Sequence, residues 1–111
     1  MAKVNPTTIF WANPTSRTDG TPYGQADNAG YELAITGAAT PPPATGQIAI
    51  PLAFGTSFDV STLAAYQGLS TGDYDFYLRV VDKNGLVSGW SNAAPFSRAM
   101  APMVPTNLTI S

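Results

Sequence analysis

Few side chains in this sequence could do chemistry. Its 111 residues include no histidine and no cysteine. That excludes Ser-His-Asp and Cys-His nucleophilic centres, thiolate metal sites and disulfides, and removes the commonest general base. Carboxylates remain. Asp73 and Asp75 stand two apart, on one face of a strand, and Asp19 and Asp27 fall in a loop. Paired carboxylates serve glycoside hydrolysis, but the plainer reading of these four is solvated charge at turns and strand edges. No acidic run matches an EF-hand calcium loop. The expectation is a protein that is not an enzyme, with no catalytic or metal-ligating residues and no cofactor.

Arg79 and Trp90 are more informative. They are expected on adjacent strands, both facing outward, where a guanidinium stacked on an indole contributes roughly 0.5–1 kcal/mol. Tyr77 shares the outward face of the Arg79 strand. These three residues form a candidate surface patch, to be weighed against simple surface stabilisation.

The elements that must hold them are strands. Ten glycines and ten prolines interrupt the chain every several residues, and helical periodicity is almost absent. Short alternating runs between turn signals predict an all-β sandwich or barrel. Residues 7–12 (TTIFWA) read as a first strand and 13–23 (NPTSRTDGTPY) as a loop. In 30–36 (GYELAIT), Tyr31, Leu33 and Ile35 share one face. Pro41, Pro42 and Pro43 favour an extended polyproline segment. Residues 47–53 (QIAIPLA) suit an edge strand, because Pro51 cannot donate to a ladder. Residues 57–60 form a further short strand, and 61–67 (STLAAYQ) the one plausible helical turn, capped by Ser61 or Thr62.

The clearest segment is 72–92 (GDYDFYLRVVDKNGLVSGWSN). Tyr74, Phe76, Leu78 and Val80 point one way from a strand, and Asp75, Tyr77, Arg79 and Val81 the other. A one-residue slip would bury Asp75 and Arg79, so register is strongly set. Asn84-Gly85 marks a tight hairpin turn. The partner strand starts at Leu86 and continues towards Arg98 across Pro95. The inward set of a two-sheet sandwich is then Trp11, Tyr31, Leu33, Phe58, Tyr74, Phe76, Leu78 and Val80.

Bulk composition sets the limits. Hydrophobic residues make up 44% and charged residues 11%, with a net charge of −2. Such a chain is one folded domain rather than a disordered tail. The five Lys and Arg are scattered, so nucleic acid is not an expected partner. No apolar run approaches the roughly 20 residues of a membrane helix, so neither is a membrane.

Three segments together resemble a fibronectin type III domain: 11–33 (WANPTSRTDGTPYGQADNAGYEL), 69–90 (LSTGDYDFYLRVVDKNGLVSGW) and 88–91 (SGWS). They resemble that family's tryptophan strand, proline-rich loop and third strand, then its sixth strand and hairpin, then its last strand. The resemblance implies an immunoglobulin-like β-sandwich of about seven antiparallel strands over residues 1–100. It also implies that the Tyr74 hydroxyl caps a corner. The family's first strand is not found ahead of Thr7, where residues 1–6 are too short for it. Residues 101–111 (APMVPTNLTIS) resemble that strand, displaced to the other end as an extended arm. Pro102, Val104, Pro105, Leu108 and Ile110 are therefore candidate partner-binding residues, pairing either in cis or with a neighbouring subunit.

Residues 1–6 carry no apolar signal core, whereas the fold type usually works outside cells. The expected function is a structural bacteriophage virion component, made in the host cytoplasm without a signal peptide, such as a capsid decoration (cement) protein or a tail protein. Its partners would be other virion proteins or further copies of itself, with a host surface glycan as another. The alternative is an extracellular spacer or carbohydrate-binding accessory module of a secreted bacterial enzyme.

Overall fold

A computed structural model describes residues 3–42, 48–51 and 54–111. Among these residues seven strands form: β1 (Lys3–Val4), β2 (Thr8–Phe10), β3 (Asn28–Gly37), β4 (Ile48–Ile50), β5 (Ser57–Asp59), β6 (Gly72–Asp82) and β7 (Ala94–Arg98). Five make one sheet in the order β1-β7-β6-β3-β4, and β2 pairs with β5 in a second. The chain is β-rich and sandwich-like, with one four-residue helix, α1 (Ala64–Gln67), among the described residues. Residues 43–47 and 52–53 lie outside that description. So do Pro43 of the proline run and both ends of the edge strand expected at 47–53; its middle is β4, which among the described residues pairs with β3 and stands at the edge of the sheet.

The β3–β6 ladder is the centre of the fold, and its register follows the alternation of the two strands. Tyr31 lies opposite Val80, Leu33 opposite Leu78 and Ile35 opposite Phe76, so apolar side chains meet across the inner face. On the outer face Glu32 lies opposite Arg79. β3 starts with a bulge between Asn28 and Gly30. Gly30 has φ +136°, and a Cβ there would stand 2.8 Å from the Ile50 carbonyl oxygen, so this crossing with β4 requires glycine.

The buried core consists of Tyr31, Leu33, Ile50, Val60, Tyr66, Phe76 and Phe96, with Ile9, Trp11, Phe58, Tyr74, Leu78 and Val80 packed against it. The whole expected inward set takes part. Tyr66 and Phe96 were not in that set, and both are central. The Phe76 and Phe96 rings stack with centroids 4.0 Å apart, and Tyr66 lies 6.0 Å from Phe76 and 5.8 Å from Phe96. Tyr66 comes from α1, and its hydroxyl donates to the Pro6 carbonyl. The expected cap of this helical region is corrected. Asp59, rather than Ser61 or Thr62, caps the 3-10 turn Val60–Thr62 by accepting from the Ser61 N–H at 2.9 Å, and α1 follows Leu63 with no side-chain cap.

A further expectation is corrected: the strands are not all antiparallel. β1 runs parallel to β7, with Lys3 opposite Phe96 and Val4 opposite Ser97. Asn5 makes so short a strand worthwhile. Its N–H donates to the Ser97 carbonyl at 2.8 Å, its Nδ2 to the Ala99 carbonyl at 3.0 Å, and its Oδ1 accepts from the Ala99 N–H at 3.1 Å. Asn5 sits at φ +49°, which asparagine tolerates better than most residues. Nor does the hairpin partner of β6 run unbroken from Leu86 to Arg98. Val87 forms a single bridge to Val81, and the strand proper begins at Ala94.

Candidate interaction surface

β7 covers only residues 72–76 of β6. Beyond Phe76, the edge of β6 is met by the SGWS segment. Ser88 donates its N–H to the Val80 carbonyl and accepts the Val80 N–H on its Oγ, both at 2.9 Å. Ser91 does the same at Leu78, at 2.8 and 3.0 Å. Each serine replaces a strand residue, with its hydroxyl oxygen standing in for a backbone carbonyl. This satisfies the edge without a regular ladder, and the backbone between the serines follows its own path.

Trp90 lies between the two serines. The Arg79 guanidinium carbon sits 4.4 Å from the centroid of the Trp90 ring. The same guanidinium bonds Glu32 Oε1 through Nε at 2.7 Å and Nη2 at 2.6 Å. The expected Arg79–Trp90 stacking is therefore present, and Glu32 is its third member. Glu32 could have been found from the sequence, since the alternation of β3 and β6 sets it opposite Arg79. Tyr77 is half-buried on the same face of β6. Because Arg79 already has Glu32 and Trp90 as partners, the trio braces three segments of chain.

The hairpin has a second brace, which the sequence reading missed. Buried Asp82 accepts from the N–H groups of Asn84 and Leu86 on Oδ1, at 2.9 and 2.8 Å, and from Arg17 Nη1 on Oδ2 at 2.8 Å. The Arg17 hydrogen bond, helped by the backbone donors, holds the Asp82 carboxyl below its ordinary value against the opposing effect of burial. The guanidinium of Arg17 is raised in turn, chiefly by the same bond. A lone carboxylate at a turn carries no sequence sign that an arginine 65 residues earlier will reach it.

The four carboxylates considered for catalysis are each engaged locally. Asp19 accepts from the Thr21 N–H at 3.0 Å and hydroxyl at 2.7 Å, and Asp27 from the Gly24 N–H at 3.1 Å. Asp73 accepts from the Ser97 hydroxyl at 2.7 Å. Asp75 corrects the expectation of solvated charge. It is buried and accepts from the Ala39 N–H at 3.0 Å, holding the turn after β3, where Ala39 adopts φ +63°. Among the described residues, no group of three His, Cys, Asp or Glu side chains is placed to hold a metal ion. The Tyr74 hydroxyl donates to the Ser70 carbonyl at 2.9 Å, the corner bond that the family resemblance implies.

Residues 99–111 belong to no strand or helix, and every residue from Ala101 to Ser111 is exposed. Pro102, Val104, Pro105, Leu108 and Ile110 thus line a solvated arm, with Leu108 93% and Ile110 99% exposed. The arm helps give the molecule its extents of 74 × 25 × 25 Å. Next to the start of the chain, the smaller sheet has an open side. A groove of about 510 Å³ runs between β2 and residues 88–94, floored by Leu33, Phe76 and Leu78 and walled by Ile9 and Trp11. Comparison with protein-family models, with curated proteins and with solved structures finds no match.

Proposed function

We propose that this chain is a non-catalytic structural and interaction module with a fibronectin type III-like fold, and that it acts as a bacteriophage virion component, either a capsid decoration protein or a tail protein. The observation that carries this reading is the arm. The domain has an aromatic core of its own, yet the chain also presents Met103, Val104, Leu108 and Ile110 to water, each more than three-quarters exposed. Large apolar side chains held in water along one segment mark a surface that acts by contact with another protein. The local engagement of all four candidate carboxylates supports a non-catalytic role. The corner bond of Tyr74 and the two-sheet arrangement support the family resemblance, and the virion setting is the reading that the resemblance suggests.

The test is to band intact phage particles from the organism that makes this chain on a density gradient and quantify the chain by mass spectrometry. The expected result is a fixed number of copies per particle. Its absence from particles, with binding to a glycan array that Tyr77→Ala abolishes, would replace this reading with that of a carbohydrate-binding accessory module.

A further inference from the structure

We propose that residues 106–111 of one copy add as a third strand to the free edge of β2 in a second copy, placing Leu108 and Ile110 in the groove beside Trp11. This proposal rests on the interaction-module reading above and names its partner and its site. The receiving edge is read from the ladder. Thr8 lies opposite Asp59, Ile9 opposite Phe58 and Phe10 opposite Ser57. Val60 donates to the Thr7 carbonyl at 2.8 Å, and Trp11 donates to the Thr56 carbonyl at 2.9 Å. The odd-numbered residues of this stretch therefore turn their backbone groups to β5, and Thr8, Phe10 and Ala12 turn theirs away. No hydrogen bond of those outward groups is found among the described residues. An edge of this kind is a template for a further strand.

The groove sets the chemistry of the guest. Ile9 and Trp11 point inward from β2, and the space beside them is floored by Leu33, Phe76 and Leu78. An added strand would hang alternate side chains over this floor, so it must be apolar at every second position. The arm meets that requirement. Leu108 and Ile110 are two apart, and Asn107, Thr109 and Ser111 alternate with them. Pro102 and Pro105 have no N–H to give to a ladder, so pairing begins beyond Pro105. Asn107, at φ +58° in the free arm, would straighten on pairing.

The chain's own geometry favours a second copy over its own groove. Asn5 clamps Ala99 through hydrogen bonds to both the N–H and the carbonyl of Ala99, where β7 ends. Pro102 and Pro105 then stiffen the stretch that would have to reverse direction. A reciprocal exchange closes as a dimer, and a one-way exchange propagates as a ring or filament.

The test is the absolute mass of the full chain by light scattering on a sizing column, across a concentration series, with three samples. The wild type should associate. Leu108→Asp with Ile110→Asp should weaken association at least about 100-fold, while the thermal melt matches that of the wild type diluted to the point where it is monomeric, because both side chains are solvated in the free chain. Phe10→Pro removes one edge donor that the fold does not use, and should also be monomeric. Mixing the arm variant with the edge variant should restore a one-to-one pair, because one supplies an intact edge and the other an intact arm. A monomeric wild type overturns the proposal, as does an oligomer that survives the two aspartates. A monomer whose arm amides resist hydrogen exchange also overturns it, since the arm would then pair in cis. None of these outcomes bears on whether particles contain the chain, so the virion reading fails or stands separately.

Discussion

Phe96→Ala offers the sharpest test of the architecture. Phe96 is 1% exposed, and three other rings surround it: Phe76 with centroids 4.0 Å away, Tyr74 at 5.6 Å and Tyr66 at 5.8 Å. Truncation leaves a cavity that β6, which carries Tyr74 and Phe76, and α1, which carries Tyr66, would have to fill together, so little relaxation is available. The expected loss is about 3–5 kcal/mol, the range for burial and cavity combined at a phenylalanine. The total stability of a domain of this size is about 5–15 kcal/mol, so the variant loses at least about a fifth of it. The melting temperature should fall by roughly 15–30 °C. Phe96→Leu keeps most of the volume and should cost less than about 1.5 kcal/mol. Urea melts followed by circular dichroism, and thermal melts of the same samples, read both variants. An alanine variant within about 1 kcal/mol of wild type would mean that β7 does not lie between β1 and β6 with its aromatic ring inward, and the five-stranded sheet would fall with it.

The other predictions concern individual devices. Gly30→Ala should destabilise by about 1–3 kcal/mol, because the added methyl meets the Ile50 carbonyl at 2.8 Å in a conformation alanine avoids; denaturant midpoints check this. Asp82 is depressed in the folded state, so its contribution is fully present above the unfolded carboxyl value near 3.8 and is lost as pH falls below it. Asp19, lowered mainly by the Thr21 hydroxyl, adds to the same acid limb. Asp82→Asn should lower the melting temperature at pH 7 and flatten its decline between pH 5 and pH 2, measured by melts across that range. Ser88→Ala with Ser91→Ala removes two acceptors from the edge of β6 and should cost about 0.5–1.5 kcal/mol apiece. Hydrogen exchange at the Leu78 and Val80 amides should quicken in that variant while the β3–β6 ladder stays protected.

Local chemistry determined what the sequence could reveal. The alternation of 74–80 and 31–35 set the faces of β6 and β3, because one buried face permits one register. Asn84-Gly85 set the turn, with Gly85 at φ +82°. Arg79 over Trp90 followed from two outward positions on neighbouring segments. The absence of histidine and cysteine limited the chemistry before any fold was known. Tertiary structure decided what depended on distant meetings. Phe96 looked like one residue of a proline-interrupted strand, and its place at the core centre comes from β1 and β6 holding β7 on both sides. Arg17 reached Asp82, and Asn5 reached Ala99, across 65 and 94 residues. Val87 formed a bridge and the serines completed the edge of β6, because a hydroxyl can accept where a carbonyl is turned away. The open edge of β2 has no signature in its own residues, since an edge is defined by the strand that is not beside it.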